Sequence, residues 1–171
     1  PMPPGAQDSS AVAINDRGQV CGNVDYRAVM WESGGTVTDL HAGLTGFDYS
    51  TAITLNRRGD AAGYGVTTGN GTNRAVLWPR RGAAVVLPFD DSVYLHTNVW
   101  AMNDRGVICG NALLLPLGRP NHAVYWPRGG DLIDLHDKLR EAMPTAEGSA
   151  SQRVLSDGRI VGIAWEPFTG T

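Results

Sequence analysis

The chain has 171 residues, enough for one domain with a core of its own, and its 14 basic and 17 acidic side chains give a net charge of −3 with no run of like charge. That balance argues against nucleic acid or an anionic membrane as partner, and the purely aliphatic runs, such as Ala83 to Leu87 and Ala112 to Leu115, are far short of the roughly 20 residues a membrane-spanning helix needs. With 22 Gly, 10 Pro and no low-complexity tract, the composition predicts many short strands joined by turns.

The first element, AVAIN over 11–15, alternates small and large apolar residues and predicts a half-buried strand, and QVCG over 19–22 continues the alternation as a second. Asn15-Asp16-Arg17-Gly18 between them supplies a side chain that caps a turn and a glycine for positive φ. RAVMW, ending at Trp31, predicts a buried third strand, and TVTDLH over 36–41 a fourth. The order then returns. Asn56, Gly59 and Gly63 repeat the turn and the second strand, followed by RAVLW ending at Trp78 and AVVLP over 84–88. Asn103, Gly106 and Gly110 open a third copy, followed by HAVYW ending at Trp126 and LIDLH over 132–136. In DLHDKLREAM, Leu135, Leu139 and Ala142 fall near one face and Pro144 follows, so one helix is predicted over 134–143. Asp157-Gly158 predicts a two-residue hairpin turn in a fourth copy that stops after Gly162.

The tryptophans recur at intervals of 47 and 48 residues, and four short strands per unit of 41 to 52 residues match a propeller blade. The expected fold is therefore all-β: a β-propeller-like array of about three and a half four-stranded antiparallel blades. It forms a single repeat domain over 1–171, with units at about 10–45, 46–92 and 93–140 and an incomplete one at 148–165. A lone blade cannot bury its faces, so neighbours create the core, with the first strands lining a central channel and the three tryptophans at equivalent places between blades. Gly22, Gly63, Gly110 and Gly162 are expected where backbones approach closely or the ladder bulges. The half unit leaves an unpaired edge, and a homo-oligomer that completes it is the expected partner.

The order A-x-N-D-x-G-x-V-x-G, then His122-Ala123-Val124-Tyr125-Trp126, then Asp-Leu, resembles the HAF repeat of bacterial proteins usually described as extracellular, over residues 10 to 162. Arg27 and Arg74 stand where the family has His, Val replaces Phe in all three copies, and His41, Pro88 and His136 replace the Gly that commonly follows Asp-Leu. The resemblance implies a secreted, propeller-like repeat protein and carries no family-wide catalytic motif.

Cys21 and Cys109 share a slot that Ala62 and Val161 fill in the other units, which reads as a small packed site rather than a disulfide or nucleophile. Asp39 with His41, and Asp134 with His136, stand two apart, so on a strand they would share a face. A carboxylate beside an imidazole can orient a base or a ligand, and it can also close a turn. His122 reads as a strand start. No zinc-protease, Walker, nucleophile-elbow or Cys-x-x-Cys motif is present, and the Asn-Asp turns read as turn chemistry rather than calcium loops, so no cofactor or metal is expected.

Two functions fit. One is a module that binds a small-molecule, carbohydrate or protein ligand through the loops that differ between units, 65–73, 88–98 and 112–121, with Tyr94, Trp100, His41 and His136 as contacts. The other is a lyase, hydrolase or cyclase with a site at the channel mouth built on His96, Asp91 and Asp90 beside Tyr94 and Trp100. Binding is the preferred reading.

Overall fold

A computed structural model describes residues 4–117 and 119–167; residues 1–3, 118 and 168–171 of the expected domain lie outside that description. β1 (Ser9–Ile14), β2 (Val20–Val24), β3 (Arg27–Trp31) and β4 (Val37–Asp39) form the first antiparallel sheet, in chain order. β5 (Tyr49–Leu55), β6 (Ala61–Thr67), β7 (Thr72–Trp78) and β8 (Val85–Val86) form the second. β9 (Tyr94–Met102), β10 (Ile108–Leu114), β11 (Asn121–Trp126) and β12 (Ile133–Asp134) form the third, and β13 (Gly148–Val154) pairs with β14 (Ile160–Trp165) in a two-stranded fourth. A 3-10 turn at His41–Gly43 and the helix α1 (His136–Ala142), inside its expected 134–143, are the other regular elements. The chain is all-β, with four antiparallel sheets of two to four strands, none closed on itself. No helix among the described residues is long and apolar enough to cross a membrane.

The turn between first and second strands is set by one side chain. Asn15 Oδ1 accepts the N–H groups of Arg17 and Gln19 at 3.0 and 3.1 Å, Asn56 Oδ1 those of Arg58 and Asp60, and Asn103 Oδ1 those of Arg105 and Val107. The fourth sheet corrects the expected two-residue hairpin. Leu155 replaces the asparagine, yet its N–H still bonds Arg159 O and Gly158 N–H still bonds Leu155 O, so the loop keeps five residues between the paired Val154 and Ile160. Asp157 Oδ1, which accepts the Arg159 N–H at 3.0 Å, takes over the cap.

Each first strand carries an extra residue (Val12, Ile53, Trp100 or Gln152) where the register to the second strand shifts beside the turn, and β9 has a second, Leu95, near its start. The glycine beside each bulge is required by the close approach: a Cβ on Gly110 would stand 1.8 Å from Asn98 O, and one on Gly63 2.0 Å from Thr51 O.

The core lies between sheets. The first strand of each later sheet packs on the first three strands of the sheet before it. On the front of the second sheet, the side turned to the first, Leu55, Ala61, Val76 and Trp78 meet Cys21, Ala28 and Met30. On the front of the third, Met102, Ile108, Val124 and Trp126 meet Ala62, Ala75 and Leu87. Trp78 and Trp126 are thus buried at 4% and 1% exposure, whereas Trp31, at the same register on the first sheet, is half-buried, with no sheet of the described residues packed on that front. The three tryptophans are therefore equivalent in register but not in burial. The same geometry splits the cysteine slot: Cys21, Ala62 and Cys109 are fully buried, but Val161 is 49% exposed, with no sheet of the described residues packed on that back. Both cysteines are free thiols, and burial pushes that of Cys21 up to about 12.

Candidate functional site

Three hydroxyls tie successive sheets together. Ser50 on β5, Thr97 on β9 and Ser149 on β13 are buried and accept the N–H groups of Ala28, Ala75 and Ala123, at 3.0, 2.9 and 2.9 Å, on the third strand of the preceding sheet. The carbonyls of the same three alanines accept the N–H groups of Leu40, Leu87 and Leu135, which brings the chain back along the outer strand. Asn15 Nδ2 adds a bond to Asn56 O, and Asn103 Nδ2 one to Leu155 O, both at 2.9 Å.

The Asp-Leu-His segments belong to these junctions. Strand β4 ends at Asp39 and β12 at Asp134, and the chain turns immediately afterwards, so neither pair lies on a strand as the spacing suggested. Asp39 Oδ1 accepts the Ala42 N–H and Asp134 Oδ1 the His136 N–H, at 3.1 and 2.8 Å, which is the turn-closing role. His41 and His136 are buried, with Nδ1 paired to Ser50 Oγ at 2.8 Å and Ser149 Oγ at 3.0 Å. Burial holds both imidazoles below their ordinary pKa, assisted by Arg27 beside His41 and His122 beside His136.

The junction between the third and fourth sheets carries the densest set of titratable groups. His122 Nδ1–H donates to Asp134 Oδ2 at 2.7 Å and the Tyr94 hydroxyl donates to the same oxygen at 3.0 Å, while the His122 and His136 rings stack with centroids 3.9 Å apart. Burial works to raise the pKa of Asp134, but the bonds from His122, His136 N–H and Tyr94 outweigh it and hold the carboxyl below its usual range. Burial, then the nearby Asp134 carboxylate, pushes the Tyr94 phenol upward. In the first sheet Arg27 occupies the His122 position and pairs with Asp39 at 3.0 Å.

On the outer side of Tyr94 lies an open cleft of about 600 Å³, lined by Pro88, Phe89, Asp90, Asp91, Val93, Tyr94, Asp131 and Leu132. Its floor is held by Trp126 Nε1, which donates to Pro88 O at 2.7 Å, and by Asp90, whose carboxylate accepts the N–H and hydroxyl of Ser92. Those bonds keep Asp90 ionised below the usual carboxylate range. The Arg74 guanidinium stands 4.3 Å from the centre of the Phe89 ring. Among the described residues no cation lies within ion-pair distance of Asp90, Asp91 or Asp131, and no group of three or more His, Cys, Asp or Glu is placed to hold a metal.

Of the residues expected at one mouth, Asp90, Asp91 and Tyr94 therefore share a cleft, and His96 and Trp100 do not line it. His96 Nδ1 accepts the Asn73 N–H at 3.0 Å, and burial followed by Arg74 lowers its pKa. Trp100 is the bulged residue of β9, half exposed, with Nε1 donating to Asn111 Oδ1 at 2.6 Å. The expected 112–121 loop includes residue 118, which lies outside the described residues. Sequence reasoning passed over Asp131 and the bridging role of the three hydroxyls, whereas Phe89 lies in the 88–98 loop it singled out. Ser50 and Thr97 each stand six residues before a turn asparagine, and Ser149 six before Leu155, a signal that residue-by-residue alignment of the first strands exposes. No family model, curated protein or solved structure matches the chain.

Proposed function

We propose that the chain is a propeller-like binding module, with blades fanned about an axis beside the first strands, that holds a small cationic ligand in the cleft of Asp90, Asp91, Asp131, Phe89 and Tyr94. Support for the fan comes from the turns. Arg57 Nε lies 2.8 Å from Asp16 Oδ2 and 3.5 Å from Asp104 Oδ2, so one guanidinium reaches the turns of both the first and third sheets. Sheets in a straight pile stand about 10 Å apart, which would separate the first from the third by about 20 Å. Secretion rests on the likeness to HAF repeats.

The observation that carries the ligand class is three carboxylates around one aromatic-walled cleft with no cation among the described residues within ion-pair distance of them, Arg74 on Phe89 acting on Asp91 only from farther away. Binding fits better than turnover, because the His96 nitrogen and the Asp90 carboxylate that a reaction would recruit already hold Asn73 and Ser92. Calorimetry with a polyamine and with an uncharged oligosaccharide tests this. The polyamine should bind more tightly, and Asp91→Asn with Asp131→Asn should weaken it about tenfold, as expected for two exposed charge pairs together worth roughly 1–2 kcal/mol. Equal affinity of the double variant, or preference for the uncharged sugar, contradicts the reading.

A further inference from the structure

We infer that the front of the first sheet is a docking surface for the back of β13–β14 of a second copy of this chain. The inference stands apart from the cleft and its ligand.

The internal junctions define what each face receives. Leu55, Ala61 and Trp78 lie directly opposite one another across the front of the second sheet, as Met102, Ile108 and Trp126 do across the third, and in both cases the back of the preceding sheet covers them. The first sheet carries the same row, Ile14, Val20, Trp31 and Val37, in the same register. No sheet among the described residues covers it: Ile14 is 70% exposed, and Val20 and Trp31 line an open depression of about 520 Å³. Ser9 opens onto that depression too, six residues before Asn15, the position from which Ser50, Thr97 and Ser149 reach the preceding sheet.

The complementary face is also present. On β14 the alternate residues Ile160, Gly162 and Ala164 turn toward the third sheet, and Val161, Ile163 and Trp165 turn away, exposed at 49%, 52% and 36%. Val161 occupies the position from which Cys21 and Ala62 pack against the following sheet. An apolar front of this register is covered twice within the chain by the back of the first three strands of the preceding sheet, and β13–β14 presents the first two of those strands, the back left open among the described residues. The two faces do not meet within one molecule, since both are exposed, so the contact is between molecules and runs head to tail.

Sedimentation equilibrium on the chain and on the surface variants Ile14→Asp and Ile163→Asp tests the docking. The wild type should read two chain masses or a larger multiple, and each variant alone a single mass with an unchanged circular dichroism spectrum. An equimolar mixture of the two variants should return to two masses, because that pair keeps one intact front and one intact back. This rescue also shows both variants to be folded. A wild type that stays at one mass up to millimolar concentration overturns the inference. So does an Ile163→Asp protein that still associates, which would assign a front-to-front pair, or a mixture that fails to associate.

Discussion

Trp78 and Trp31 are the same residue in the same register, and their difference in burial sets how much each matters. Trp78→Ala removes an indole sealed against the first sheet and should cost about 3–5 kcal/mol, measured as a shift in urea unfolding at constant slope. Trp31→Ala in the same assay, at a concentration low enough to keep the chain monomeric, should cost distinctly less. A loss under about 1 kcal/mol at Trp78 would place that indole on the surface. Gly110→Ala should cost about 1–3 kcal/mol, because the clash is with the backbone oxygen of Asn98 rather than a movable side chain. The glycine and tryptophan roles were legible in the sequence because both recur at fixed spacing. The exposure of Val161 and Trp31 was not, since spacing reports register and not whether a neighbour covers it.

At the scale of the element, the junctions between sheets combine apolar burial with one hydroxyl each. Ser149→Ala leaves the Ala123 N–H and the His136 ring without their bond in a buried place, and should cost about 1–3 kcal/mol in the same unfolding assay. The junctions also predict a pH dependence. The unfolded chain binds protons on His41 and His136 below about pH 6.5, while the folded chain holds both imidazoles at a lowered pKa. Their contribution is therefore complete above that pH and is lost as the pH falls toward their folded values. Asp134 and Asp60, whose folded pKa values are also lowered, add to the loss only below about pH 4. Unfolding free energy measured between pH 7.5 and 5 should fall, and His136→Gln should flatten part of that slope; an unchanged slope would show that His136 does not contribute. The strands were legible because alternation and turn glycines agree. The break after Asp39 and Asp134 was not, because Asp-Leu-His reads equally well as the end of a strand or as the start of a helical turn.

At the scale of the whole molecule, the proposed fan about an axis rests on two features: the first strand of each later sheet packs on the first three strands of the sheet before it, and the turns of the first and third sheets both reach Arg57. The repeat was legible because three units retain the Asn, Gly and Trp positions together; the cleft was legible in part, through the 88–98 loop with Asp90, Asp91 and Tyr94, but Asp131 was not, because it lies 40 residues away from Asp91 in a connection that no repeated position marks. The third junction is chemically unlike the others for a related reason: His122 there replaces the arginine of the first two units. The most direct test of the fan is pulsed electron spin resonance between labels on the first and third sheets, in a Cys21→Ala, Cys109→Ala background and at dilution. One pair is carried by Asp16→Cys and Asp104→Cys at the inner turns, the other by Thr38→Cys and Ile133→Cys at equivalent places on the outer strands. A fan predicts an inner distance much shorter than the outer one, and equal distances would contradict it.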